Sequence, residues 1–416
     1  MAAVVTAVLL AGCGEAQERE VGRGEPSPSS STEAPKPQID GGDSDPSPAG
    51  EAAGDWEQIA KARQAFHAPE SLFWIDGRLV VVAGSTIEAW DPERDRWEVL
   101  VEIPQAEECE GCGYAEIAVW SGEEILLWGG GFSYKYGDLE SAGAAFDPRS
   151  KELRPLATAP IPSRWYHTAV WTGGEMIVWG GSGCEEQTGQ DECRDGAAYD
   201  PITDSWRRIA DAPMGGYAHT LVWTGRKLIV WGGTDDGESE GTRGYPRNFL
   251  NIGAAYDPDT DSWRELEASP LDPRGWHSSV WTGDEMIVWG GDTSPCTTGS
   301  CESESADAAA YDPSTGKWRP IAHGPLSGRV DHSAVWTGEQ MIVWGGSPPG
   351  GGIGYDDGAM YDPQRDSWAL LPGSPLSDRY RHGALWNGKA MFIWGGITED
   401  ESGLHMGQGA VFTPEL

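Results

Sequence analysis

Four times in this chain an arginine stands three residues ahead of a histidine: Arg164 with His167, Arg274 with His277, Arg329 with His332 and Arg379 with His382. Two further copies are irregular, His219 lacking the arginine and Arg63 standing one residue further from His67. Guanidinium groups repeated at one spacing are fork-shaped donors suited to carboxylates or sugar hydroxyls. The residues enclosed by each pair change from copy to copy: Trp165 and Tyr166, Gly275 and Trp276, Val330 and Asp331, Tyr380 and Arg381, with Tyr217, Phe66 and Tyr114 at neighbouring slots. Rings interspersed with Arg and Asp suit carbohydrate, whose C–H faces stack on aromatic faces while its hydroxyls need paired donors and acceptors. One copy has Glu116 where the others have histidine, which makes it the candidate acid or base of an enzyme.

Each assignment has a structural rival. A histidine present in nearly every copy serves what every copy needs, and bonding at a seam between repeats explains it first. For the arginines, a cationic ring and a scaffold role stand side by side. The rings have the alternative of lying between loops, and Glu116 that of an ordinary solvated glutamate.

The elements that must carry these residues are themselves repeated. Six times a segment of the form HSAVWTGEQMIVWGG, spelled so from His332 to Gly346, is followed by a form of AMYDPQRDSW, spelled so from Ala359 to Trp368. The first strand of each copy ends at Trp120, Trp171, Trp223, Trp281, Trp336 and Trp386, and an earlier degenerate copy puts Trp74 in that slot. A period near fifty residues indicates a propeller or an array. Two short β-branched and aromatic runs joined by a Gly-containing turn form strands a and b. Strand b is continuously apolar, as a strand covered on both faces must be. A third strand of the AAYDP type is cut off by its proline. An Asp-Pro-x-Thr-Asp turn, cleanest from Asp257 to Asp261, then leads to a fourth strand opening at Trp206, Trp263, Trp318 or Trp368.

Gly-Gly after strand b, then Tyr and Trp on the later strands, resembles the kelch repeat and the galactose oxidase-like propellers built from it. The resemblance runs from Asp55 to Leu416 and implies an all-β, seven-bladed propeller of four-stranded blades. Blade 1 departs from it with Ala83-Gly84, and the last copy ends at Gly409 to Leu416 without a fourth-strand tryptophan. Asp55 to Ile59 reads as a fourth strand with no blade before it, so it is expected to complete the last blade and close the ring. Most tryptophans are read as repeat core without functional content.

In such a ring the a–b and c–d turns share one face, and these are short and repetitive. The b–c loops and d–a crossovers share the other, and they are long and unlike one another. Variable loops on a rigid scaffold are where binding lives.

The start of the chain, Leu10 to Cys13, resembles a bacterial lipoprotein signal, which implies a lipid on Cys13, although the opening residues carry no Lys or Arg. Residues 14–54 are rich in Pro, Ser, Gly and Glu and cannot offset their own ordering entropy, so they are expected to form a disordered tether between the signal (1–13) and the propeller (55–416). Such a tether reaches roughly 35 Å. The expected location is outside the cytoplasm. The other six cysteines fall into close pairs, Cys109 with Cys112, Cys184 with Cys193 and Cys296 with Cys301, read as disulfides of an exported chain. A formal charge of −37 argues against nucleic acid as a partner. Thr234 to Gly241 carries four acidic residues without EF-hand spacing, a weak Ca²⁺ candidate; no other metal or cofactor is expected.

The expected function is a non-catalytic binding module for a glycan or an extracellular protein. Alternatives are a structural adaptor in an envelope complex and a sugar-active enzyme, since the family the chain resembles includes galactose oxidase and a sialic acid mutarotase. The tyrosine, histidine and cross-linked cysteine set of the oxidase has no counterpart that can be placed here.

Overall fold

The computed structural model describes residues 50–62, 71–103, 117–129, 143–184, 193–235, 248–293, 305–349, 352–398 and 407–415. These form seven sheets, each a blade of four antiparallel strands, with one short parallel strand added to the outer edge of blade 6. Among the described residues there is no helix. Blade 1 runs from Ser71 to Glu102, blade 2 from Ile117 to Pro155, blade 3 from Thr168 to Ile209 and blade 4 from Thr220 to Glu265. Blades 5 and 6 follow at Ser278–Pro320 and Ser333–Leu370. The a strands neighbour one another round the axis, and that of blade 7, Gly383–Trp386, meets that of blade 1, Ser71–Ile75.

Closure is as expected. Strand Gly54–Ile59 pairs antiparallel with Gly409–Pro414, the c strand of blade 7, in the register Trp56 opposite Phe412. Ahead of that strand, Gly50–Glu51 pairs in parallel with Ala369 and Leu370 on the outer edge of blade 6. The chain thus spans two blades at its closure point.

Strand b is buried over its whole length in blades 2 to 7, which is why it shows no polar alternation. Its terminal tryptophans Trp128, Trp179, Trp231, Trp289, Trp344 and Trp394 are at most 1 % exposed. Each meets the fourth-strand tryptophan of the following blade, as Trp128 meets Trp206 at 5.7 Å and Trp394 meets Trp97 at 5.4 Å across the closure. The fourth-strand indole also donates to a carbonyl of the preceding blade, Trp263 to Ala210 at 2.7 Å being one case. The seam between blades 1 and 2 differs: Val82 stands in the strand b position and Leu153 in the fourth-strand position, and both lie in one apolar cluster. Two rings are exchanged together for two smaller side chains.

The tight-turn face repeats a polar network. Asp204, Asp261 and Asp366 occupy the left-handed region in the c–d turn, and each accepts from its blade's tyrosine hydroxyl and from a backbone N–H of the preceding blade. Arg154, Arg207 and Arg319 fork onto Glu124, Glu175 and Glu285 of their own a–b turns.

Candidate functional site

The histidines do what a seam requires. His219, His277, His332 and His382 each bond through Nε2 to the Ser or Thr that opens strand a of the preceding blade, at 3.0, 2.9, 2.8 and 2.8 Å. Each ring also stands edge-on to the buried tryptophan of that blade, as His332 does to Trp289. Burial pushes His219, His332 and His382 down to about 3 and His277 well below its ordinary value, so these four are neutral near pH 7. The Gly-Gly pair follows from the same contact. A Cβ on Gly345 would lie 2.5 Å from the His382 ring, and both Gly345 and Gly346 have positive φ.

The reading of the arginines as a cationic ring for ligands is corrected by the structure. Arg164, Arg274 and Arg329 have fully buried side chains, and each pairs with the aspartate just before strand c of its own blade. The separations are 2.6 Å to Asp195, 2.6 Å to Asp307 and 2.7 Å to Asp357. Each guanidinium also donates to the carbonyl of the first glycine after strand b. Arg379 is buried in the same place and donates to the Gly395 and Ser377 carbonyls, and burial lowers it to about 10. Arg164, Arg274 and Arg329 therefore clamp the start of strand c to the end of strand b, and all four arginine side chains are buried in the scaffold. The signal missed in the sequence was the aspartate itself. It precedes GAAYD in blade 3 and its equivalents in blades 5 and 6, whereas blade 4 has Gly216 for Arg and Ile252 for Asp.

With Arg and His committed to the scaffold, the enclosed positions form the mouth. The residue before each histidine has positive φ in five consecutive blades: Tyr166 (58°), Ala218 (59°), Trp276 (51°), Asp331 (54°) and Arg381 (54°). Such a backbone costs of order 1 kcal/mol or more at each non-glycine residue, and the seam on its C-terminal side holds it. The residue before that one pairs across to the segment after Gly-Gly, in Trp165 with Ser182, Tyr217 with Thr234, Gly275 with Asp292, Val330 with Ser347 and Tyr380 with Ile397.

Neighbouring blades touch at these slots. Tyr166 and Tyr217 have centroids 5.4 Å apart, and Trp276 meets Phe249 edge-on at 5.5 Å. The Trp276 N–H donates to the Ala218 carbonyl and the Arg381 N–H to the Asp331 carbonyl, so the slot is stitched from blade to blade. On the other side Arg381 Nε lies 3.1 Å from Asp331 Oδ2, with side chains 18 % and 12 % exposed. Burial pushes the Asp331 carboxyl up, and Arg381 opposes that shift. Trp165 is the large exposed ring, at 45 %. The mouth is thus aromatic over blades 3 to 5 and ionic over blades 6 and 7.

Of the other expected residues, Cys184 and Cys193 form a disulfide on this face. The pairs Cys109–Cys112 and Cys296–Cys301, and Cys13, Arg63, Phe66, His67, Tyr114 and Glu116, lie outside the described residues, as does most of the Thr234 to Gly241 segment. Among the described residues Cys184, Cys193 and Asp195 converge as metal ligands would, but the sulfurs are joined to each other and Asp195 is taken by Arg164 and Arg208. The seam histidines do not fit a shared copper centre, since each is held by a different blade.

The fold and mouth define a seven-bladed propeller whose scaffold residues repeat and whose channel-facing slots do not. The chain matches the KLHDC2/KLHL20/DRC7 Kelch-repeats domain over residues 71–291 and 218–415, and it belongs to the kelch-repeat family. It is 27 % identical over 261 residues to Kelch-like protein 36 of Bos taurus, covering 61 % of this chain and 38 % of that protein. It is 32 % identical over 140 residues to Adagio-like protein 3 of Oryza sativa subsp. japonica, covering 32 % of this chain and 20 % of that protein. The chain therefore spans well under half the length of these relatives. Among solved structures it is similar to YjhT (TM-score 0.54, 17 % identity, 76 % of this chain and 99 % of that one). It is also similar to a fungal alcohol oxidase of the AA5 family in complex with copper (TM-score 0.61, 17 % identity, 87 % and 76 %). At these identities the two structures share the fold alone.

Proposed function

We propose that this kelch propeller is a non-catalytic binding module, held outside the cytoplasm by a lipid on Cys13, and that its loop-rich mouth takes a carbohydrate. The observation that carries the reading is the slot before the histidine, where one strained backbone conformation is kept through five blades while its side chain changes from Tyr to Ala, Trp, Asp and Arg. A scaffold that needed only the seam would have no use for that variety. The aromatic half offers faces for sugar C–H groups, and the Asp331–Arg381 pair offers an acceptor beside a donor for vicinal hydroxyls.

A glycan array probed with the full chain tests this. Selective binding is expected, and it should be lost when Trp165, Trp276 and Tyr380 are changed to alanine. A protein partner is the second reading, favoured by Ile252 and Ile353, 50 % and 67 % exposed in the b–c connections of blades 4 and 6. Absence of glycan binding, with crosslinking of a protein at the cell surface, would establish that alternative. Metabolic labelling with an alkynyl fatty acid tests the anchor: label is expected on the chain and not on the Cys13→Ala variant.

A further inference from the structure

The tight-turn face, whose turns are short and repetitive, holds a cavity of about 780 Å³ between the lower turns of blades 5 and 6, reaching Thr224 of blade 4. Its walls include Trp281 and Trp336, the tryptophans that end strand a. Unlike the fully buried tryptophans of strand b, these two are only partly covered. Four carboxylates line it, Asp284, Glu285, Asp312 and Glu339, against one guanidinium, Arg319. That guanidinium is already neutralised, forked onto Glu285 at 2.9 and 2.6 Å. Asp312 is engaged in its own turn, accepting from the Ser314 N–H and the Thr315 hydroxyl. Asp284 and Glu339 form no ion pair among the described residues. The cavity therefore combines two aromatic walls with uncompensated negative charge.

The placement is specific to this pair of blades. The tips of the a–b turns carry Glu123 in blade 2, Gly174 in blade 3, Arg226 in blade 4, Asp284 in blade 5, Glu339 in blade 6 and Lys389 in blade 7, and blade 1 turns through Asp76-Gly77-Arg78. Blades 5 and 6 are thus adjacent blades with acidic tips, bounded on either side by a basic one. A flexible molecule carrying more than one positive charge fits between them, since its ammonium groups would meet Asp284 and Glu339 while its methylene chain or a charged head lies on the indoles. Cation–aromatic attraction of this kind holds a charged head against a ring face, more strongly where water is excluded.

We infer that the cavity between blades 5 and 6 is a binding site for an alkylammonium ligand of the polyamine class, separate from the loop-rich mouth and independent of what the mouth binds. Isothermal titration of the full chain with spermidine, putrescine and tetramethylammonium, at about 0.15 M salt where exposed charges are largely screened, tests it. Saturable binding of spermidine is expected, at least tenfold weaker in the double variant Asp284→Asn and Glu339→Gln, which keeps the shape of both turns. Trp281→Leu should weaken it severalfold, whereas Glu123→Gln, at the acidic tip of blade 2 outside this cavity, and the triple alanine variant of the mouth should leave it unchanged. An unaltered melting temperature in the carboxamide variant shows that its loss is local. The inference is overturned if the wild-type chain binds none of the three amines, or if Glu123→Gln weakens spermidine as much as the double variant does.

Discussion

The two ends of the channel are built from one repeat and differ in what the repeat leaves free. At the tight-turn end the same aspartates, tyrosines and Arg–Glu forks recur from blade to blade, and each reaches a neighbour. At the loop-rich end the arginines and histidines recur just as regularly, but between them lie two positions whose chemistry is unconstrained. Repetition of a residue thus marks what the ring needs, and variation on a repeated backbone marks what the molecule does with it. The lower end obeys the same rule where it breaks its own pattern, at the adjacent acidic tips of blades 5 and 6.

The sharpest way to expose the scaffold half of this contrast is acid. The four seam histidines are held neutral by burial, with folded pKa values far below the unfolded value of about 6.5. Between those values the unfolded chain binds protons that the folded chain refuses. Stability is therefore complete above about pH 6.5 and falls as pH drops toward 3, each histidine contributing a slope of up to about 1.4 kcal/mol per pH unit. Chemical denaturation from pH 7.5 to 4.5 should show a steep decline. Replacing His332 by glutamine should lower stability at pH 7.5 and make the decline shallower.

Next in size is Gly345→Ala, which places a methyl group against the His382 ring and the Arg379 carbonyl in a left-handed backbone. A loss of about 3 kcal/mol is expected from the combined clash and strain, measurable by urea unfolding.

The ion pair at the mouth lies between the two halves. Asp331→Ala leaves Arg381 largely buried without its counter-charge and should cost about 2–4 kcal/mol. Removing both, as Asp331→Ala with Arg381→Ala, should recover part of that stability while still abolishing glycan capture. Recovery without loss of capture would make the pair purely structural and place the ligand on the aromatic half. The smallest effect on folding belongs to Trp165→Ala, within about 0.5 kcal/mol because the ring is exposed. The same change should weaken glycan binding about tenfold, so that stability and binding separate in one variant.

Much of this molecule was legible before any coordinates. The period, the paired glycines and the tryptophan spacing are local signals, so blade number, strand order and closure by the strand near Trp56 all followed from them. So did the seam role of the histidines, because a residue present in nearly every repeat serves the repeat. The arginines were misread for a definite reason. Their partners Asp195, Asp307 and Asp357 lie 31, 33 and 28 residues further along, across loops of unequal length, so no fixed spacing announces them. Asp331 and Arg381 are 50 residues apart in adjacent blades, and the cavity at Trp281 and Trp336 exists only where two turns face each other. The sequence by itself determined the repeat, the ring and its closure, since those rest on short-range pattern and on the need to cover every sheet edge. Which charges are spent inside the scaffold and which remain for a ligand was decided only by the tertiary structure, because burial and pairing depend on neighbours that the chain order does not bring together.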